Sequence, residues 1–318
     1  MSGAIATEDS PTVLTSKRVA IRYRSLALVI RSAFPQIPQF GFQMNLLGIT
    51  LVLTSLLPTP AAVQDVGAVT FLEGSLRIIR GTTTFQVTEG TRLTQGDIVE
   101  TSDNAFAQLE FVDGATVALG PSTGIYIFRY GTGGSAGAEL VLLNGWLKGQ
   151  SDVRSGSYRF ESPMLVATTG NGVVLFHQHE SECDVFVESG SAAIGEVSSD
   201  GSAGKPTSGK AGQFFSRRKG KNLVGSSRPD AAFLEAMPRP FRDALPSRLT
   251  HFASKSAQPK AQLPVSYAEI RPWLTMPSAW RKGFVDRFGP RLKDPEFRKQ
   301  LEVHAAEHPE WAPLLTTK

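Results

Sequence analysis

The chain has 318 residues, 33 Lys and Arg against 29 Asp and Glu, and one cysteine, Cys183. That length can hold two domains and bury a sizeable core, and a lone cysteine excludes an intrachain disulfide. The formal net charge of +4 conceals a split: residues 65–200 carry 17 acidic against 7 basic side chains, residues 201–227 carry 6 basic and no acidic, and residues 228–318 carry 15 basic against 10 acidic. An acidic body with a basic tail admits three readings: mutual affinity of the halves, a tail aimed at anionic envelope polymers or lipid headgroups, or two independently solvated surfaces. No basic stripe interleaves with stacking aromatics, so nucleic acid is not an expected partner.

Residues 1–43 lack persuasive periodicity and hold Lys17, Arg18, Arg22, Arg24 and Arg31. Residues 44–62 follow with an apolar run from Leu46 to Leu57 and small residues at Ala61 and Ala62. This pattern predicts an export signal cleaved near there. Met44 stands directly before the run, which suggests a true start at that position and an upstream extension that is not native. The alternative is a membrane anchor over Phe40 to Leu57, with the five cations on the cytoplasmic side.

Residues 65–197 read as an all-β domain, with Gly, Asp and Ser at short intervals between runs rich in Val, Ile, Leu, Phe and Thr. In the segment Ala105 to Phe111, residues 105, 107, 109 and 111 share one face of an extended strand while Phe106, Gln108 and Glu110 share the other. Asp113-Gly114 marks the turn that follows. A two-residue loop would put Val117 and Leu119 on the wrong face. A three-residue loop, Val112-Asp113-Gly114, sets Phe111 against Ala115, Leu109 against Val117 and Ala107 against Leu119. Further on, Gly131 to Gly137 reads as a flexible loop, and Leu140 to Leu143 is apolar enough for a central strand.

The motifs Leu93-x-x-Gly96-Asp97-Ile98-Val99-x-Thr101 and Ala107-x-Leu109-x-Phe111-x-Asp113-Gly114-x-x-Val117-x-Leu119-x-Pro121 resemble the FecR domain family. Earlier and later pieces of that resemblance are Val66 to Val69, Gly74 to Arg77, Leu140 to Trp146 and Val185 to Gly190. Ser162 to Gly172 departs from it, because the family's Gly-Thr pair after a Thr-Pro strand is not reproduced there. The resemblance implies a mainly β fold, as an antiparallel sandwich or stacked short strands, with Gly96, Asp97, Thr101, Asp113, Gly114 and Pro121 as structural motif positions. It also implies envelope sensing or signalling through protein contacts, the best-known members being inner-membrane regulators of a sigma factor.

Residues 198–227 are rich in Gly, Ser and Lys and read as a mobile linker, broken by Phe214 and Phe215, which could complete the β domain's last strand. Residues 228–318 turn helical. Ser266 with Glu269 forms a capping box for a helix over Tyr267 to Leu274, Ser278 caps a helix running to Phe288, and Asp294-Pro295 opens another. The run Met237-Pro238-x-x-Phe241-Arg242-x-x-Leu245-x-x-Arg248-Leu249 recurs 39 residues later as Met276-Pro277-x-x-Trp280-Arg281-x-x-Phe284-x-x-Arg287-Phe288. The spacing puts the apolar positions on one helical stripe. Two similar packing helices explain it; a duplicated binding face would use Arg242, Arg248, Arg281 and Arg287.

Few constellations could carry chemistry. His304-x-x-Glu307-His308 has inverted zinc-protease spacing, but Pro309 ends any helix there and no third ligand follows. His177 and His179, near Glu180, Glu182 and Asp184, could capture a metal, or simply form a polar hairpin tip. Asp97 and Asp113 are the carboxylates a carbohydrate or peptidoglycan-active enzyme would want, yet each adjoins a turn glycine and bonds its own backbone. Cys183 shares a strand face with Val185 and Val187, as a buried structural thiol does. The sequence therefore predicts an exported, periplasmic, non-catalytic binding, sensing or scaffold module. It needs no cofactor, and its partner is an envelope protein or anionic envelope polymer. The alternatives are an anchored sigma-factor regulator of the FecR type and an enzyme using Asp97 and Asp113.

Overall fold

The computed structural model describes residues 64–131 and 137–316. The segments 1–43 and 44–62, and the middle of the loop expected at Gly131 to Gly137, lie outside the described residues. Among those described, no helix is long and apolar enough to cross a membrane.

The chain is mainly β. Strands β1 (Asp65–Glu73), β2 (Leu76–Arg80), β3 (Thr83–Gln86), β4 (Arg92–Thr94), β5 (Ile98–Thr101), β6 (Phe106–Phe111), β7 (Thr116–Leu119) and β8 (Gly124–Gly131) are short. The long β9 (Gly137–Ser151), β10 (Ser157–Glu161), β11 (Leu165–His179) and β12 (Glu182–Glu196) follow. One continuous sheet takes in all of these, and its pairings are antiparallel except that of β9 with β10. Its interior is filled from nearly every strand, by Val69, Leu109, Leu140, Phe160, Phe176 and Val185 among others.

The hairpin of β6 and β7 has the expected register: Ala107 faces Leu119 and Leu109 faces Val117. The Phe111 amide donates to the Ala115 carbonyl at 2.9 Å, and Gly114 takes φ +92°, the left-handed value that the bulged three-residue loop requires. Asp113 accepts from the Ala115 amide at 3.0 Å, the local turn bond expected of it. Leu140 to Leu143 lies in β9, the most connected strand, which pairs with β7, β8, β10 and β11.

Gln108 and Glu110, polar residues on the face of β6 opposite Ala107 and Leu109, are both buried. The C-terminal region covers them. The Gln108 amide donates to the Pro246 carbonyl at 2.7 Å, and Glu110 accepts from the Ser247 hydroxyl and from the amides of Arg248 and Leu249 at 2.6 to 3.0 Å. The carboxylate thus satisfies the orphan donors of the 3-10 turn Leu249–Phe252.

The stretch 198–227 is no linker. It holds β13 (Thr207–Lys210), β14 (Phe214–Arg218) and β15 (Val224–Ser226), which extend the sheet from β12. Buried Phe214 and Phe215 supply the apolar area that its Gly, Ser and Lys content masks. The domain boundary expected there is absent too: the described residues on both sides of it belong to one compact unit.

Beyond β15 the chain wraps the sheet. First, α1 (Ala231–Ala236) and the 3-10 turn Arg239–Arg242 seat Phe233, Met237, Phe241 and Leu245 against Trp146, Leu175 and Phe214. Strand β16 (Lys260–Pro264) then adds to the free edge of β3. Finally α2 (Tyr267–Leu274), α3 (Ser278–Arg281), α4 (Phe284–Phe288) and α5 (Pro295–Val303) press Trp273, Trp280, Phe284 and Phe288 onto Ile79, Ile98 and Val141. Burying an aromatic or aliphatic side chain of this size contributes at most about 2–3 kcal/mol, so these two apolar seams dominate attachment of the tail.

Local helix signals fared well where they were strongest. The Ser266 and Glu269 capping box is formed, and Asp294 caps α5 with Pro295 at its first position. The helix expected from Ser278 to Phe288 is broken between α3 and α4 at Lys282 and Gly283, and Pro277 occupies its cap. The two repeat copies differ: the second is helical, while the first is a 3-10 turn followed by irregular chain. Both bury their apolar positions, each against a different patch of the sheet.

Candidate functional site

Strand β9 changes partners in its middle. From Gly137 to Asn144 it pairs with β8, and from Leu147 to Gln150 with β7. The handover is made at a bulge, where Gly124 faces Asn144 but Ile125 faces Leu142, and at Gly145, whose φ of +92° turns the strand. A Cβ at Gly145 would lie 2.3 Å from the Thr123 hydroxyl oxygen and 2.6 Å from the Thr123 Cα, so only glycine fits.

The turn Pro121-Ser122-Thr123 is clamped into this corner. The Thr101 hydroxyl donates to the Gly120 carbonyl at 2.6 Å and accepts from the Thr123 amide at 2.8 Å. The Thr123 hydroxyl accepts from the Trp146 amide at 2.9 Å, and the Gly120 amide donates to the Trp146 carbonyl at 2.9 Å. Between these clamps Ser122 has φ +48°, the one non-glycine residue with positive φ among those described. Such a conformation costs about 1–3 kcal/mol and persists only where its surroundings over-determine it. The Asn144 amide donates to the Ser122 carbonyl, and the Ser122 hydroxyl donates to Asp103 at 2.8 Å.

Two clefts open on either side of the turn and share Ser122 and Asn144 as walls. The first, of about 430 Å³, is polar, lined by Arg77, Glu100, Ser102 and Asp103 among others. Arg77 is held by Glu100 at 2.6 Å and by Glu269 of α2 at 2.8 Å, while Trp273 donates to Glu100 at 2.9 Å. The second, of about 470 Å³, is bounded by Pro121, Pro238 and Ala236 and by a stacked pair, Trp146 and His177, with ring centroids 4.0 Å apart and planes 12° from parallel. Burial and neighbouring His179 push the His177 pKa down to about 4, so the stacked ring is neutral at physiological pH.

The structure thus brings together Thr101, Pro121, His177 and His179, which the sequence supplied from separate stretches. The histidines end β11 at a polar hairpin tip, and among the described residues no group of three or more His, Cys, Asp or Glu side chains could hold a metal. Asn144, Gly145, Ser122 and Trp146 were missed. The Gly-Trp pair after an apolar run was the available signal, since a glycine inside a strand pattern marks a bulge.

Asp97 and Asp113 are kept apart, in different turns. Asp97 is fully buried, pairs with both nitrogens of the Arg80 fork at 2.8 and 2.6 Å, and accepts from the Thr94 amide and hydroxyl. Asp113 receives the Tyr158 hydroxyl at 2.8 Å. Burial and the Asp113 charge hold both Tyr158 and Tyr130 far above the ordinary tyrosine range.

All four arginines considered for partner contact engage the chain itself. Arg287 is bonded to the Gly81, Gly96 and Ile79 carbonyls at 2.7 to 2.9 Å, Arg281 to the Leu274 carbonyl and Glu310, and Arg248 lies 4.8 Å over the Phe71 ring. Arg242 is bonded to the Leu234 carbonyl at 3.2 Å and is exposed. Charge reversal at Arg281 would therefore disturb the fold as well as any surface. Cys183 is fully buried beside the Ser162 hydroxyl, and burial pushes its thiol up to about 12. His304 and His308 share no helix: α5 ends at Val303, and His308 is buried against the Tyr267 hydroxyl at 2.8 Å.

No family model matches the sequence, and no curated protein matches it. Among solved structures, two crystal structures of a candidate anti-sigma factor from Parabacteroides distasonis overlap 44% of the chain, at 12% and 14% identity and a TM-score of 0.35. The overlap covers 63% and 64% of that protein, somewhat under two thirds of its length, and at this TM-score it carries no functional assignment.

Proposed function

We propose that this chain is an exported binding and scaffold module of the FecR type, acting through contact at the β9 corner and not through turnover. The observation that carries this reading is the contrast between carboxylates and corner. Asp97 and Asp113, the acids an enzyme would need, are engaged in turn and ion-pair bonds. A clamped, strained turn meanwhile presents Ser122, Asn144 and the His177 ring to two open clefts of the size typical for small-ligand sites. The apolar run at 44–62 supports placement outside the cytoplasm.

The test uses the full chain immobilised and exposed to solubilised cell envelope, with a parallel screen for muropeptide turnover. The expected result is retention of an envelope component, reduced about tenfold by Asn144→Ala, with no hydrolysis. Hydrolysis that disappears in Asp97→Asn, with the fold intact by circular dichroism, would overturn the reading.

A further inference from the structure

The chemistry around the corner narrows the ligand class. Charges on the polar side are largely matched within the protein: Arg77 by Glu100 and Glu269, and Asp103 in part by the Ser122 hydroxyl. An anion would want an unpaired guanidinium or ammonium group here, and finds instead a rim whose other charged members are Asp103 and Glu180. What the rim offers is acceptors and small hydroxyls. The second oxygen of Asp103, the side-chain oxygen of Asn144 and the Ser102 hydroxyl have no hydrogen-bond partner among the described residues. This is the complement of a ligand dense in neutral O–H groups.

On the far side of Ser122 the character changes. His177 and Trp146, stacked on one another, both border this cleft, and Pro121, Ala236 and Pro238 add an apolar wall. A pyranose ring has one face of C–H groups that packs on a flat aromatic surface, and an acetamido methyl needs a small apolar wall with an amide partner close by. Asn144 stands between the clefts and reaches either. The turn and strand are fixed before binding, so little ordering entropy is lost when an extended ligand lies across both.

We propose that the corner groove takes a neutral glycan strand bearing acetamido groups, one sugar ring over His177 and its neighbour's hydroxyls on Asp103 and Asn144. This rests on the reading of the corner as the contact site.

Isothermal titration of the full chain with chitotetraose is the test. Binding with a Kd in the range of about 0.1–1 mM is expected, the strength of a shallow open site. Cellotetraose, which lacks the acetamido groups, should bind about tenfold more weakly, and His177→Ala and Asp103→Ala should each weaken chitotetraose about fivefold or more while circular dichroism shows the fold retained. Equal binding of the two oligosaccharides, tighter binding of tetralysine, or indifference to both substitutions overturns the assignment. If chitotetraose fails while Asn144→Ala still abolishes envelope retention, the contact site stands and the glycan class falls. If neither responds, both fall.

Discussion

His177 and Asp184 face each other across the β11–β12 ladder, and burial shifts them with opposite consequences. The Asp184 pKa is raised to about 6, chiefly by burial, against its ordinary 3.8. The folded protein then binds that proton more tightly than the unfolded chain, and stability falls as pH rises through the window from 3.8 to 6. The His177 pKa is lowered from 6.5 to about 4, so the unfolded chain takes up its proton first, and stability falls as pH drops through 6.5 toward 4. The two effects oppose each other between pH 4 and 6, which flattens the profile. Asp184→Asn should unmask the histidine. Urea denaturation of that variant is expected to show about 1 kcal/mol more stability than the parent at pH 7, after allowance for solvent screening of a partly exposed group, and no gain at pH 4. Equal stability at pH 7 would mean that Asp184 is not held above its usual range.

At the scale of elements, the decisive feature is the bend in β9. A single strand serves two sets of neighbours because a bulge and a left-handed glycine turn it between Asn144 and Leu147. The turn at Ser122 is strapped to the inside of that bend, so Gly145→Ala should strike both. The added methyl meets Thr123 within 2.3 Å, and the residue must hold φ +92° besides. A loss of about 2–4 kcal/mol in a urea melt is expected, with loss of binding at the corner in excess of the unfolded fraction. Gly114→Ala, with open space around it, should cost only the backbone term of about 1 kcal/mol and leave binding unchanged. The comparison separates steric closure of the corner from general backbone strain.

Across the whole molecule, the acidic body and basic tail meet. Glu110, Glu100 and Glu161 of the sheet receive donors from residues 247–249, Trp273 and Trp280, and Lys148 of β9 donates to the Phe241 and Asp243 carbonyls. The ties to these glutamates run from hydroxyl, amide and indole donors, and the one ion pair between residues 65–200 and 228–318 among the described residues, Arg77 with Glu269, joins a cation of the body to an acid of the tail, so opposite net charge is not what holds the halves together. Arg287 adds a further tie: half-buried, it closes off the Ile79 carbonyl of β2 and the Gly81 and Gly96 carbonyls of the β2–β3 and β4–β5 turns. Arg287→Ala leaves those acceptors unpaired and is expected to destabilise by about 2–4 kcal/mol and to speed tryptic cleavage of the tail. The exposed Arg242→Ala should change stability by no more than about 0.5 kcal/mol in the same assay.

How much of this was legible depended on the range of the interaction that decides it. The hairpin at Asp113-Gly114, the Ser266 and Asp294 caps, the burial of Cys183 and the β character of residues 65–197 are set by parity, turn chemistry and side-chain reach over a few positions, and the sequence determined them by itself. The sheet continuing through 198–227, the burial of Gln108 and Glu110, the break in the helix at Gly283, and the corner that gathers Thr101, Ser122, Asn144 and His177 were decided only by the tertiary structure. Each depends on which distant surface comes to lie opposite. A strand's outer face reads as polar whether water or its own tail satisfies it, and only the folded chain supplies the partner that distinguishes the two.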